Sequence, residues 1–316
     1  MTNNVLYLVV PCYNEEAVLP ETAVHLLAKL TALIEAGKIS TKSRILFVDD
    51  GSRDKTWRII EDLSQRDTHF GGVKLSRNKG HQNALLAGLT VAKAHCDAAI
   101  SLDADLQDDI NAIDGMLSHF QDGCDVVYGI RSKRDTDTLF KRTTAECFYK
   151  LMRALGVDIV DNHADYRLLS RRALEGLMQF NEANLFLRGI VPLIGYKHAI
   201  VPYERHERLA GQSKYPLKKM LLFAFDGITA FSIKPIRLVT TAGAVIFLAS
   251  VITLLVLLFQ KLMGHTVQGW TTLMGSIWLL GGIQLLSLGI IGEYVGRIYQ
   301  EAKHRPHFII DQTILQ

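Results

Sequence analysis

The stretch Ile100-Ser-Leu-Asp-Ala-Asp-Leu-Gln-Asp108 joins a short apolar strand to a polar loop that carries three carboxylates. Side chains at positions i and i+2 of a strand project to the same side, so Asp103 and Asp105 can face one ligand. Hard divalent cations prefer such oxygen ligands. The pair therefore predicts a cation site, but it needs support from the rest of the chain because Asp-x-Asp also occurs in many solvated loops.

Two earlier segments have the same form, an apolar run that breaks into a polar loop. Each is typical of a buried parallel strand, and the alternation with helix-like stretches predicts an α/β fold with a parallel sheet. Because ligands bind at the carboxyl ends of strands in open sheets, the three polar loops are predicted to form one site. The runs are Val5–Val10 and Ile45–Val48, the loops Pro11–Glu16 and Asp49–Ser52, and the helical stretches about 15–37, 55–65 and 80–95.

Four motifs resemble those of glycosyltransferase family 2, namely Val9–Glu16, Val48–Asp54, Asp103–Asp108 and Gly211–Tyr215. The resemblance is to the polyprenyl-phosphate branch, which includes dolichyl-phosphate mannose synthases and bactoprenol glucosyltransferases. It covers nearly the whole chain and implies a GT-A, Rossmann-like catalytic domain. The segments most similar to the bacterial glucosyl members are 75–80, 164–168 and 184–189.

The resemblance implies a metal site and a nucleotide site. Mg²⁺ or Mn²⁺ would be held by Asp103, Asp105 and Gln107, and the cation would bind the diphosphate of a nucleotide sugar. Asp50 has an alternative role in the turn before the second helix, but a neighbouring residue could serve that turn and leave Asp50 to the ligand. The positions similar to the family's nucleotide-binding residues are Pro11, Tyr13, Glu15, Val48, Asp50, Asp103, Ala104 and Gln107.

Three basic residues are similar to the family's phosphate-binding positions: Arg131, Arg208 and Lys214. They would stabilise the charge that develops on the diphosphate as its bond to the sugar breaks. The alternative for each is a solvated surface charge, the usual state of Arg and Lys, and Arg205 lies near enough in sequence to compete with Arg208. Arg131 is expected to act in catalysis together with Asp105.

Asp165 occupies the position of the proposed catalytic base of the glucosyl members. A phosphate monoester has a second pKa near 6, so a lipid phosphate acceptor is already largely dianionic at neutral pH and needs little proton abstraction. Asp165 could equally position the acceptor through a basic neighbour, bind sugar hydroxyls, or form a salt bridge to Arg167 or Arg171. The sequence leaves these roles open.

Two long uncharged runs near the C-terminus, Leu238–Gln260 and Thr266–Gly292, predict two membrane-spanning helices at about 236–260 and 267–293. Basic residues flank both runs, which favours a hairpin with both ends in the cytoplasm. We therefore expect a multi-pass protein of the bacterial inner (plasma) membrane with its catalytic domain and both termini cytoplasmic. The expected domains are 1–214 (GT-A), 215–234 (interfacial amphipathic helix), 235–297 (two transmembrane helices) and 298–316 (cytoplasmic tail).

Apolar residues outnumber charged ones in the segment 215–232 between the motifs and the spans. This pattern favours an interfacial helix with its apolar side in the acyl boundary, and a core helix is the alternative. The formal net charge of +3 does not indicate nucleic acid as a partner. The four cysteines show no paired metal-ligand spacing.

The expected activity is inverting transfer of a hexose from a nucleotide sugar, with UDP-glucose as the first donor to test, to undecaprenyl (polyprenyl) phosphate. UDP-N-acetylglucosamine, GDP-mannose and an aminoarabinose donor are alternatives, since each needs small changes in the pocket. Alternatives from other classes are a processive polysaccharide synthase, whose Gln-x-x-Arg-Trp motif is absent from the sequence, and a non-catalytic membrane scaffold. Small residues in the second span suggest a homo-oligomer, for example a tetramer.

Overall fold

The computed structural model describes residues 4–131, 163–182, 186–204, 234–263 and 269–315. The chain divides into two compact units: one comprises Met1–Tyr149, Asp158–Pro216 and Arg305–Gln316, and the other Lys150–Val157 and Leu217–His304. The described elements of the first unit are β1 (Leu6–Cys12), α1 (Leu19–Glu35), β2 (Arg44–Asp49), α2 (Thr56–Arg66), β3 (Phe70–Leu75), α3 (His81–Lys93), β4 (Ala98–Ser101), α4 (Ala112–Gln121), β5 (Val126–Arg131), β6 (His163–Ser170), α5 (Arg171–Leu177), α6 (Leu187–Leu193), β7 (His198–Tyr203) and β8 (Ile310–Ile314).

The strands of the first unit form one sheet in the order β7-β5-β6-β4-β1-β2-β3-β8. Strands β4, β1, β2 and β3 are parallel, which confirms the predicted α/β architecture and its central strands. The sheet as a whole is mixed, because β6 runs antiparallel to β4 and β5, and β8 runs antiparallel to β3. Antiparallel neighbours need no crossover helix, so the strand-helix alternation in the first half of the chain gives no signal for them.

Both faces of the central sheet are covered by helices. On one face, Leu8 of β1 belongs to the same buried cluster as Leu26 of α1. On the other face α3 packs so closely that a Cβ atom on Gly88 would lie 2.5 Å from methyl carbons of Val9 and Val48. Burial on both faces explains why the sequence of β1 is almost continuously apolar.

The C-terminal strand β8 pairs with β3 at one edge of the sheet. The amide of Ser76 donates to the carbonyl of Ile309 at 3.0 Å, and Lys74 Nζ lies 3.7 Å from Asp311 Oδ2. The sequence predicts a tail at 298–316 and no strand within it. The structure therefore adds residues 310–314 to the sheet of the first unit.

The second unit contains two long helices, α7 (Lys234–Leu262) and α8 (Trp270–Ala302). α7 contains the first predicted span, 236–260, whereas α8 begins three residues after the predicted start of the second span at 267 and extends beyond its predicted end at 293. Within the described residues, one segment, Leu279–Ala302, meets the length and composition of a membrane-spanning helix, with a mean hydropathy of 1.4 and no part of it buried. The predicted interfacial segment 215–234 lies almost wholly outside the described residues.

Candidate active site

Polar loops follow β1 and β2 and are joined by hydrogen bonds between backbone amides and side chains. The amides of Asn14 and Glu15 donate to Ser52 Oγ and Thr56 Oγ1, each at 2.9 Å. The amide of Arg53 donates in the opposite direction, to Asn14 Oδ1, at 2.9 Å. Asn14 has φ +55°, a backbone conformation that Asn tolerates better than most residues. The two loops therefore form one cross-linked unit.

Four of the predicted nucleotide-binding residues lie at these strand ends. Pro11 and Val48 are both buried and are direct partners in the β1–β2 ladder. Glu15 is half-buried, and Tyr13 is 42% exposed. The structure thus brings the four residues to one edge of the sheet, as the motifs predict.

Asp50 joins a third loop to this unit. Its two carboxylate oxygens accept hydrogen bonds from the amides of Lys79 at 2.7 Å and Gly80 at 2.8 Å. Burial raises the pKa of Asp50, and the two amides oppose that rise. We call residues 13–16, 50–56 and 77–80 the amide-bonded loops. A nucleotide contact of Asp50 would have to use lone pairs that these amides leave open, and it stays a prediction.

The neighbours of Asp50 complete the turn. Asp49 Oδ1 accepts the amide of Ser52 at 3.1 Å, so Asp49 serves the turn, as one sequence alternative proposes. Gly51 has φ +67°, and a Cβ there would lie 2.6 Å from the backbone carbon of Arg77. This position requires glycine both for its conformation and for the close approach of the third loop.

The loop after β4 carries Asp103, Ala104, Asp105 and Gln107. Thr22 of α1 donates from its hydroxyl to the carbonyl of Ala104 at 2.6 Å, which fixes the middle of the loop. Asp105 Oδ1 accepts the amide of Gln107 at 3.3 Å. The loop begins at the carboxyl end of a central strand, next to β1, where open α/β sheets bind ligands.

The oxygen atoms of this loop fit a hard cation. Burial raises the pKa of Asp103, and the carboxylates of Asp165 and Asp105 raise it further against the opposing effect of His81. A divalent cation would relieve this repulsion. Within the described ranges, no group of three or more His, Cys, Asp and Glu side chains is placed to hold a metal. If Asp103, Asp105 and Gln107 hold the cation, as the sequence predicts, substrate phosphates would supply the remaining oxygen ligands, as is common for Mg²⁺.

Arg131 lies at the end of β5, where a tyrosine and a buried carboxylate orient it. Its Nε donates to the hydroxyl oxygen of Tyr203 at 3.3 Å, and that hydroxyl donates to Asp108 Oδ1 at 2.5 Å. Burial raises the pKa of Asp108 to about 6, although the bond from Tyr203 opposes the shift. We call Arg131, Tyr203 and Asp108 the tyrosine relay. It holds one guanidinium near the polar loop after β4.

Asp165 lies on β6 between two guanidinium groups. Arg167 Nη2 donates to its Oδ1, and Arg188 donates from Nε to Oδ1 at 3.3 Å and from Nη2 to Oδ2 at 3.0 Å. These charges hold the pKa of Asp165 well below its usual range despite the burial of the carboxylate. The predicted alternative of a salt bridge to Arg167 is observed, whereas Arg171 pairs with Asp97 instead. Asp165, Arg167 and Arg188 form what we call the ion-paired cluster.

His81 connects the ion-paired cluster to the loop after β4. Its Nε2 lies 3.6 Å from Asp103 Oδ1 and 3.8 Å from Asp165 Oδ2. The backbone of α6 is tied to α3 as well, since the amide of Leu187 donates to Gln82 Oε1 at 3.0 Å. The predicted metal residues and the position of the proposed base therefore lie in one site.

Two of the predicted site residues lie outside the described ranges, and three residues of the observed site were not predicted. Arg208 and Lys214 lie outside the described residues. The sequence did not single out Arg188, Tyr203 or Asp108 for the site. Arg188 lies in the segment 184–189 that resembles the glucosyl members, and Asp108 ends the family motif Asp103–Asp108, so both carried a signal. Tyr203 carried no such signal, because nothing in the sequence around it indicates that its strand, β7, pairs with β5.

A family model named "Glycosyl transferase family 2" matches residues 7–178, and a second model, "GtrB C-terminal hairpin", matches residues 234–298. The chain belongs to glycosyltransferase family 2. This confirms the predicted family and the GT-A type of α/β fold, and it makes the protein a glycosyltransferase.

Curated relatives of this family 2 enzyme match it over nearly its full length. "Uncharacterized glycosyltransferase YkoT" of Bacillus subtilis (strain 168) is 55% identical, with 97% of this chain and 91% of that protein covered. "Bactoprenol glucosyl transferase" of Shigella phage SfV is 40% identical, with 96% and 97% covered. "Prophage bactoprenol glucosyl transferase homolog" of Escherichia coli (strain K12) is also 40% identical, with 97% and 98% covered.

Proposed function

We propose that this enzyme transfers a hexose, with glucose as the expected sugar, from a nucleoside diphosphate sugar to the phosphate of undecaprenol or a related polyprenol. The observation that carries the proposal is the juxtaposition, through His81, of the Asp103–Asp105 pair with the ion-paired cluster. A carboxylate pair suits a cation and the donor diphosphate, and guanidinium groups suit a phosphate acceptor. Two relatives are named as bactoprenol glucosyl transferases or their homologues, which supports the same acceptor and sugar.

The nucleoside would lie against the amide-bonded loops, with Pro11, Tyr13, Glu15 and Val48 along its edge. Asp103, Asp105 and Gln107 would hold Mg²⁺ or Mn²⁺. When bound, the cation would stabilise the negative charge on the leaving diphosphate. Arg131, oriented by Tyr203, would add positive charge at the same group.

Asp165 is a poor candidate for a general base. A base needs a pKa near the working pH, and the pKa of Asp165 is depressed by Arg167 and Arg188. The acceptor phosphate is already largely dianionic at neutral pH and can attack the anomeric carbon with its own oxygen. Direct attack of this kind inverts the anomeric centre.

We further propose that α7 and α8 form a hairpin that crosses the membrane twice. Since β8 follows α8 and pairs with β3, the chain returns to the side of the membrane on which the catalytic sheet lies. The chain between β3 and β8 would therefore cross the membrane an even number of times. A single crossing through Leu279–Ala302 would place β8 on the opposite side from β3 and prevent their pairing. The hairpin family match at residues 234–298 and the basic residues on both flanks support two spans with a cytoplasmic catalytic domain. A homo-oligomer stays a prediction.

The proposed reaction is tested by transfer of radiolabelled sugar to undecaprenyl phosphate in detergent, from a panel of UDP- and GDP-sugars. We expect label to reach the lipid from UDP-glucose and to be lost in Asp105→Ala and after removal of divalent cations. Transfer of label from a different donor would support the proposed acceptor and would replace glucose with the sugar of that donor. Nucleotide binding without any labelled lipid would reject the acceptor, and absence of nucleotide binding would favour the scaffold alternative.

A further inference from the structure

The imidazole of His81 lies between two carboxylates without a hydrogen bond to either. Its Nε2 is 3.6 Å from Asp103 Oδ1 and 3.8 Å from Asp165 Oδ2, and both distances are longer than an N–H···O hydrogen bond. Within the described ranges, the ring forms no hydrogen bond to another residue. His69 shows the contrast, because its Nδ1 is hydrogen-bonded to Asp67 Oδ1 at 2.7 Å. The side chain of His81 therefore keeps its hydrogen-bonding capacity for a ligand.

The backbone that carries this ring is fixed on both sides. The preceding residue, Gly80, donates its amide to Asp50 Oδ2 at 2.8 Å. The following residue, Gln82, accepts the amide of Leu187 on its Oε1 at 3.0 Å. His81 itself is the first residue of α3. A side chain with open hydrogen-bonding atoms on a rigid backbone is the arrangement that a precise ligand contact needs.

The chemistry of the three side chains selects the group that they can bind. The side chains of His81 and Asp103 are 43% and 40% exposed, and that of Asp165 is 10% exposed, so a ligand can reach them from solvent. Together they present one ring nitrogen and two carboxylate oxygens. A phosphate oxygen placed directly against the carboxylates would be repelled, and an apolar group would satisfy none of the three side chains. A hydroxyl fits, because it can donate to a carboxylate and accept from an imidazole N–H at the same time.

The position of His81 narrows the hydroxyl. Asp103 is a predicted ligand of the cation that would bind the donor diphosphate, and the diphosphate is attached to the anomeric carbon of the sugar. The hydroxyl nearest to that carbon is the one on C2. We propose that His81, together with Asp165, binds the 2-hydroxyl of the donor hexose. The proposal rests on the proposed function, and it gives Asp165 a role in substrate binding that needs no proton transfer.

The contact would act on the rate as well as on binding. Positive charge develops at the anomeric carbon as the sugar is transferred, and in glycoside hydrolysis hydrogen bonds to the 2-hydroxyl strengthen in that state. An N-acetylglucosamine donor carries a bulkier acetamido group in place of this hydroxyl. His81 therefore favours glucose over N-acetylglucosamine, one of the alternative donors, and determines specificity in the proposed reaction.

The test compares kcat/KM for UDP-glucose and for UDP-2-deoxyglucose in wild type, His81→Ala and His81→Gln. The ratio of the two values should fall by about tenfold or more from wild type to His81→Ala, because the variant no longer distinguishes the two sugars through this contact. The intrinsic reactivity of the 2-deoxy sugar cancels, since it is the same in every enzyme form. His81→Gln should recover part of the ratio because its amide nitrogen can still donate a hydrogen bond.

His25→Ala is the matched control. His25 is also partly exposed on a helix, with its Nε2 3.9 Å from Glu21 Oε1, and its loss should leave the ratio unchanged. An unchanged ratio in His81→Ala would overturn the proposal. A change that appears with UDP-3-deoxyglucose or UDP-4-deoxyglucose and not with the 2-deoxy sugar would overturn it too. So would a fall of about 1,000-fold in kcat that is equal for all of these sugars, since that result would identify a base.

Binding to the full-length protein in detergent, with Mn²⁺ present, provides a readout that does not need turnover. His81→Ala should bind UDP-glucose about five- to tenfold more weakly than wild type and UDP within about twofold of it, because UDP has no sugar to contact. Equal weakening of both ligands would show that His81 acts on the cation through Asp103 and would overturn the proposal. Unchanged binding of both would overturn it as well.

The proposal and the proposed reaction can fail separately. If wild type transfers no sugar to undecaprenyl phosphate but His81→Ala binds UDP-glucose selectively more weakly, the reaction is rejected and the sugar contact is supported. If UDP-N-acetylglucosamine is the best donor, transfer to the lipid is supported and the contact with a 2-hydroxyl is overturned. Thermal unfolding of each variant reports whether the fold is retained, and His81→Gln keeps the test valid if His81→Ala is unstable.

Discussion

The two sides of the active site are built by different interactions. The amide-bonded loops are fixed by hydrogen bonds from backbone amides to short side chains, such as Asn14 to Ser52 and Gly80 to Asp50. The opposite side, with the ion-paired cluster and the tyrosine relay, is fixed by charged and aromatic side chains from distant strands. Hydrogen bonds from backbone amides hold the loops in one conformation whatever the charge of the ligand. Side chains in ion pairs can instead exchange a protein partner for a charged ligand. The first arrangement suits a donor held in one pose, and the second suits an acceptor phosphate that arrives and leaves as a product.

The largest effect is expected where the two sides meet, at the loop after β4. Asp105→Ala removes one of the two carboxylates predicted to hold the cation, and it should lower the transfer rate by at least about 1,000-fold. Binding of UDP in the presence of Mg²⁺ or Mn²⁺, measured by calorimetry, should be lost in parallel. Asp114→Asn is the control, since Asp114 pairs with Lys29 and Lys38 on α1 and in the following loop, and it should retain both properties. Full activity of Asp105→Ala would exclude the predicted cation site.

The rigidity of the amide-bonded loops is tested by Gly51→Ala. A Cβ at Gly51 would lie 2.6 Å from the backbone of Arg77 at a φ of +67°, so we expect a loss of about 2–4 kcal/mol in the free energy of unfolding. Gly37→Ala has a similar φ of +64° and no atom within 4 Å of the new Cβ, so it should cost about 1 kcal/mol. Thermal unfolding and the donor KM report the difference. Equal effects of the two substitutions would show that the contact between the loops does not matter.

The tyrosine relay is tested by Tyr203→Phe. This change removes the hydroxyl that links Arg131 to Asp108 and leaves a buried carboxylate without that donor, so stability should fall by about 1–3 kcal/mol. The loss of orientation at Arg131 should lower kcat/KM by about tenfold. Tyr196→Phe keeps the ring that lies under Arg172 and should be close to neutral. If Tyr203→Phe is as active as wild type, the tyrosine relay does not contribute to catalysis.

The smallest effect concerns the pH dependence of stability at Asp108. Its pKa is raised from 3.8 to about 6 in the folded protein, so the folded state binds more protons than the unfolded state between these values. Stability contributed by this group therefore falls as pH rises through that window. Asp108→Asn should remove this loss, at most about 3 kcal/mol, and raise the melting temperature relative to wild type more at pH 7.5 than at pH 4.5. A melting temperature difference that does not depend on pH would contradict the raised pKa.

The sequence predicted the central strands and the amide-bonded loops well, because their signals are local. An apolar run followed by Pro11–Glu16 or Asp49–Ser52 indicates both the strand and its polar end. It did not predict that Asp50 binds the backbone of the third loop, since residues 50 and 79 are distant in sequence and their contact depends on strand order. For the same reason Tyr203 and the strand β8 were missed, and Arg188 could be seen as part of a motif without a role.

The central claim is that the acceptor is a lipid phosphate that attacks through its own oxygen. It is tested most directly by offering the purified enzyme UDP-glucose with undecaprenyl phosphate or with undecaprenol, which has the same lipid and no phosphate. The account predicts labelled product from the phosphate and none from the alcohol, since a neutral hydroxyl has no charge for the arginines to bind and needs a base, a role for which the pKa of Asp165 is too low. Comparable transfer to undecaprenol would contradict the account and restore Asp165 as a base.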